Sequence, residues 1–186
     1  MVVEGWVPPY TLKEVASEFR QGHYQHVLVV KPIYEEIKDN YESGRYAADY
    51  IANFLVEYGV PQDRVRTVFC PVTRRDRTYF SALASKKWLA QNRIAVKAID
   101  AVTLGPHARR SRLLYEKALG KQVSVGVIAL QEWEYDPAHW WRSSRGTREM
   151  LGEGVAYLYA RLFFHPSAEE EKSHLVPTAH ETISKN

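Results

Sequence analysis

Two stretches of this chain constrain its fold more than any others: VLVV at residues 27–30 and VSVGVIAL at 123–130. Each is almost continuously apolar and rich in β-branched residues. A strand with one wet face alternates apolar and polar side chains, so an unbroken apolar run marks a strand covered on both faces. Strands of that kind belong to parallel sheets flanked by helices. The remaining segments fit this reading, with strands expected at Met1–Glu4, His26–Val30, Val65–Cys70, Ala95–Thr103 and Gln122–Leu130. Between and after them, helical spacing predicts helices at Leu12–Gln21, Gly44–Tyr58, Arg77–Asn92, His107–Leu119 and Gly146–Phe164. Such alternation gives an α/β domain around a mainly parallel sheet of about five strands.

Local signals set the boundaries. Pro8 and Pro9 precede Thr11 and Glu14, a pair with capping-box spacing at the start of the first helix. Gly59 and Pro61 end the second helix and turn the chain toward the next strand. One domain is expected over residues 1–164. Residues 165–186 lose apolar periodicity, gain Ser, Thr, Glu and Pro, and read as a mobile polar tail.

Charge narrows the range of partners. The net charge is +3, but the segment from His165 onward carries −2, leaving +5 on the domain. That excess suits an anionic small molecule and is too small to suggest nucleic acid. Cys70 is the only cysteine, so neither an intrachain disulfide nor a cysteine-based metal site is available. No apolar run reaches the roughly 18–20 residues of a membrane span. A soluble chain is expected, cytoplasmic or peripheral to the bacterial inner membrane. Membrane association is expected only through a segment upstream of Met1, where MVVEGW reads as the end of a strand.

Ligands of open α/β sheets bind at the carboxyl ends of the strands. Five loops meet there in this reading. The first carries Glu4, Gly5 and Trp6, the second Lys31 and Pro32, and the third Thr73 to Ser81 with Arg75 and Thr78. The fourth is LGPHARRS, and the fifth runs from Glu132 to Ser144 through Trp133, Trp140 and Trp141. In the fourth loop, Gly105 and Pro106 start a helix whose free N–H groups favour an anion. Helical spacing then places His107, Arg110, Ser111 and Leu114 on one face, with Arg109 and Arg112 at its sides. An imidazole exchanges protons near neutral pH, and a guanidinium grips carboxylate or phosphate. A solvated basic helix start, with His107 capping its own turn, is the alternative for the same residues.

The other loops also carry two readings each. Asp76 would cap the helix that follows it, while Thr78 would offer a hydroxyl to a ligand; a solvated basic loop is the plain alternative. Lys31, abutting a buried strand, would hold an anion or pair with Glu4. The tryptophans would wall a pocket or simply pack. Glu153 would reach into the site or orient an arginine such as Arg148. Gly-x-Gly-x-x-Gly, Walker A, Gly-x-Ser-x-Gly and His-Glu-x-x-His patterns are all absent. Dinucleotide enzymes, P-loop NTPases, α/β-hydrolases and zinc proteases are therefore disfavoured, and neither cofactor nor metal is expected.

His107, Arg110 and Ser111 after a strand, Thr78 at an earlier helix start, and GVPQDRV at 59–65 occur here in one order. Together with VVEGW, HARRSRLLYEKALG and DPAHWWRSS, they make residues 1–164 resemble the YdcF-like family, which includes ElyC and SanA. The resemblance implies a Rossmann-like three-layer α/β/α sandwich, a pocket at the strand ends and an association with the bacterial cell envelope. It fixes no reaction. Two departures stand out: Lys31 and Pro32 replace a glycine pair after the second strand, and Ser81 replaces an asparagine. Lost glycines remove close backbone approach to a phosphate, which Lys31 would replace with a charged side chain.

The expected function is binding of an anionic small molecule at the strand ends, as an enzyme on an envelope precursor or as a non-catalytic sensor. The expected acid or base is His107. Glu4, Gly5, Trp6, Lys31, Arg75, Thr78, Arg110, Ser111 and Trp141 are the expected ligand-binding set.

Overall fold

A computed structural model describes residues 1–33, 49–71 and 76–167. Five strands form one sheet: β1 (Val2–Glu4), β2 (Val27–Ile33), β3 (Val65–Pro71), β4 (Ala98–Leu104) and β5 (Ser124–Leu130). All pair in parallel, in the spatial order β3-β2-β1-β4-β5. The helices are α1 (Leu12–Gln21), α2 (residues 49–57), α3 (Arg77–Gln91), α4 (Ala108–Leu119) and α5 (Ser144–Leu162). This is the expected Rossmann-like α/β architecture. The expectation of a mobile tail falls almost wholly on residues outside the described ones.

Strand alternation builds two cores, one on each face. Val2, Leu28, Val30, Val68, Ile99 and Ala101 pack with α3, α4 and the end of α5. Val3, Val27, Val29, Val102 and Leu104 pack with α1 and α2. The continuous run VLVV is thus explained: neighbouring side chains enter different cores, and each face needs its own apolar set.

Chain direction reverses its order at β1. From β1 the sheet grows outward to β2 and β3, then crosses back to add β4 and β5 on the other side. A crevice between β1 and β4 follows from this geometry, because the loops leaving the two strands diverge to opposite sides.

Several local expectations are corrected. Thr11 and Glu14 form no capping box. A 3-10 turn over Pro9–Thr11 places Thr11 in helical backbone, so its hydroxyl donates back to Pro8 O at 2.7 Å. The carboxylate of Glu14 instead accepts from the Gln131 N–H at 3.5 Å. Asp76 does not cap α3 with its side chain, because left-handed backbone (φ 56°) turns it away from the extended geometry that capping needs. Gly59 does end α2 as expected: with φ 88°, it lets its own N–H reach Val56 O while the Val60 N–H reaches Leu55 O.

Candidate active site at the β1–β4 crevice

Glu4 is the last residue of β1. Alternation sends it, like Val2, toward the α3 and α4 face, and the pairing of Val3 with Val102 brings it level with Thr103. The Thr103 hydroxyl donates to Glu4 Oε2 at 2.6 Å, and the Ser111 hydroxyl of α4 donates to Oε1 at 3.0 Å. All three residues are buried. Burial pushes the Glu4 pKa up, opposed by the two hydroxyl bonds and by the positive charges at His107 and Arg110. One carboxylate therefore ties together a strand end, a neighbouring strand end and the first turn of a helix.

The chain leaves β4 through a 3-10 turn, Gly105–His107, with Pro106 in its first half, and runs on into α4. His107, Arg110 and Ser111 do share a face, as their spacing requires, and Arg109 and Arg112 lie exposed beside it. Arg112 pairs with Glu116 one turn on, and Arg109 lies over the Tyr157 ring. His107 makes no cap bond to its own helix. Its ring instead meets Trp6 edge-on, with centroids 4.5 Å apart, bridging the exits of β1 and β4.

Glu153 of α5 completes the group. Its Oε2 accepts from Arg110 Nε at 2.7 Å, and its Oε1 accepts from Arg110 Nη2 at 3.0 Å. His107 Nδ1 lies 2.8 Å from the same Oε1 and 3.2 Å from Arg110 Nη2. Nδ1 cannot both donate to the carboxylate and accept from the guanidinium. The shorter, charge-assisted contact assigns a proton to Nδ1, which donates to the carboxylate. Burial raises the Glu153 pKa, but hydrogen bonds and charge from His107 and Arg110 outweigh it and hold the carboxyl at about 2. Glu153 thus orients Arg110 and His107; Arg148 is not its partner. His107 and Arg110 keep about a quarter and a fifth of their side chains open to solvent.

Beside this group a cleft of about 500 Å³ opens between the Gly105–Pro106 turn, Gln131 and Glu132 past β5, and Met150 and Tyr157 of α5. That size suits a small molecule. Buried Glu132 lies at its edge, where the Tyr10 hydroxyl donates to Oε1 at 3.3 Å and the Glu134 N–H at 2.7 Å.

The other expected residues are distributed around this centre. Gly5 donates its N–H to Val30 O at 2.7 Å. Lys31 does not pair with Glu4; its Nζ donates to Gly5 O at 3.0 Å. Burial, and then the charge of Arg77, lower the Lys31 pKa. Thr78 lies half-buried in the first turn of α3, with no hydrogen bond to the His107 group among the described residues. Arg75 lies outside the described residues. Trp141 is 58% exposed and packs on Trp140 and His139, with ring centroids 5.9 and 5.5 Å away, rather than on His107.

Thr103 was not among the expected residues, although a threonine in a strand buried on both faces signals a polar partner. Among the described residues, no group of three His, Cys, Asp or Glu is placed to hold a metal ion. Nor is any described helix long and apolar enough to cross a membrane. Comparison with family models, curated proteins and solved structures found no match to this chain.

Proposed function

We propose that the β1–β4 crevice binds a small anionic molecule and that His107 moves a proton on it. The observation that carries this reading is the sharing of Glu153 by His107 and Arg110. A carboxylate that holds Nδ1–H fixes the orientation of the imidazole and leaves Nε2 for proton exchange, the arrangement a general base needs. It also occupies only one edge of the Arg110 guanidinium. The Nη1 edge has no partner among the described residues, and a phosphate or carboxylate fits it. Among the described residues Lys31 Nζ bonds only to Gly5 O, so two further N–H groups are offered to an anion, and Thr78 offers a hydroxyl from the start of α3. The resemblance to the YdcF-like family makes an envelope precursor the candidate substrate.

The test is thermal stabilisation of the full chain across a panel of phosphorylated and carboxylated metabolites. A ligand at 100 times its Kd contributes about 2.7 kcal/mol, which raises Tm by several degrees for a domain of this size. The stabilisation is expected to vanish in His107→Ala and Arg110→Ala variants that retain native circular dichroism. Equal stabilisation of wild type and both variants sinks the proposal. Mass spectrometry of a bound compound then separates turnover, which gives a product, from sensing, which does not.

A further inference from the structure

Helix α5 has apolar residues on two opposite faces. Gly146 and Ala160 are buried against the domain, with Met150, Glu153 and Tyr157 half-buried between them. On the opposite side Leu151, Val155, Leu158 and Leu162 are 55–69% exposed. At the ~100° per residue of a helix, these four lie within an arc of roughly 60° pointing directly away from the domain. Tyr159 and Phe163 widen the surface at its C-terminal end and are 52% and 69% exposed. No ionisable residue interrupts the stripe.

The spacing of the stripe identifies what fits it. Steps of four, three and four residues put Leu151 and Leu158 at one seam position and Val155 and Leu162 at the other, the pattern of a helix that packs along another helix. An interfacial membrane helix presents a broader apolar face. The flanks are small: Gly152 and Gly154 sit on either side, and a methyl group added at either would meet nothing within 4 Å. Another backbone can therefore approach closely. From their exposures, the six side chains present roughly 700 Å², close to the ~800 Å² per partner of a standard interface. Monomeric proteins rarely leave a patch of that size uncovered.

We propose that α5 of a second copy covers this stripe, forming a two-fold homodimer centred between Val155 and Leu158, so that Leu151 faces Leu162 and Val155 faces Leu158 of the other copy. A two-fold interface must use one patch twice, and a seam with equivalent residues on both sides of its centre does so. Such a dimer also braces the helix that carries Glu153, whose carboxylate points the other way, into the candidate site.

Sedimentation velocity of the full chain at micromolar concentrations tests this, and a dimer is expected. Leu158→Glu changes an exposed side chain, so native circular dichroism and Tm should persist while the dimer weakens by roughly 30-fold or more. In a variant with both Val155→Cys and Leu158→Cys an interchain disulfide is expected on mild oxidation, because the native Cys70 is buried. A monomeric wild type overturns the proposal, whether residues 168–186 are then found on the stripe or the monomer floats with anionic vesicles. So does a dimer that Leu158→Glu leaves intact.

Discussion

Glu4 and Glu153 are carboxylates of one site, and their surroundings shift them in opposite directions. Glu153 is held at about 2 in the fold against 4.5 as a free side chain. Its ion pairing therefore stabilises the fold fully above pH 4.5, and that contribution is lost as pH falls toward 2. By linkage it is worth up to about 3 kcal/mol, and less after solvent screening, since 15% of the side chain is open to solvent. Glu4 is raised above 4.5 by burial. It costs stability above its folded pKa, and the cost disappears as pH falls through that value toward 4.5. Urea midpoints between pH 2 and 8 should separate the two: Glu153→Gln flattens the limb below 4.5, and Glu4→Gln flattens the limb above it. If both variants keep the wild-type profile, these carboxylates are not placed as described.

At the scale of elements, the exit of β1 depends on a close approach of backbones. A methyl group at Gly5 would lie 2.7 Å from Val30 O and 3.1 Å from Lys31 Cα, both in the neighbouring strand. Gly5→Ala must push β1 away from β2, at about 1–3 kcal/mol. Gly152, exposed in the middle of α5, has open space instead, so Gly152→Ala should stabilise the chain by about 0.5–1 kcal/mol. Urea unfolding of the two variants checks both signs, and a neutral Gly5→Ala would mean the strands are not so close. The same contrast shows what the chain reveals before folding. VLVV announces a strand because the requirement is local: two covered faces need two apolar sets. The face shared by His107, Arg110 and Ser111 is equally local, a matter of helical spacing. Partners across the fold are not. Glu153 lies 43 residues from Arg110, and Thr103 lies 99 from Glu4, so only strand order and register bring them together. Thr11 misled for a related reason, since its spacing to Glu14 fits a cap but the prolines before it impose a 3-10 turn.

At the scale of the molecule, Cys70 reports whether the sheet forms as described. It lies at the carboxyl end of β3, the outer strand, and is 2% exposed. Burial pushes its thiol up to about 12, opposed by the charge of Lys87. A thiolate is the reactive form, so both access and ionisation protect this residue in the folded chain. Labelling by a thiol reagent then proceeds only through opening, with a rate below that of the unfolded chain by the opening equilibrium constant. An opening free energy of about 4 kcal/mol slows labelling roughly 1,000-fold. Because β3 has a neighbouring strand on one side only among the described residues, the opening that exposes Cys70 is expected to cost less than unfolding the whole sheet. Mild denaturant should therefore leave the labelling rate almost unchanged until global unfolding takes over, whereas global opening alone would give one steep dependence throughout. Stoichiometric labelling of the native protein within the mixing time would contradict the burial of β3 itself.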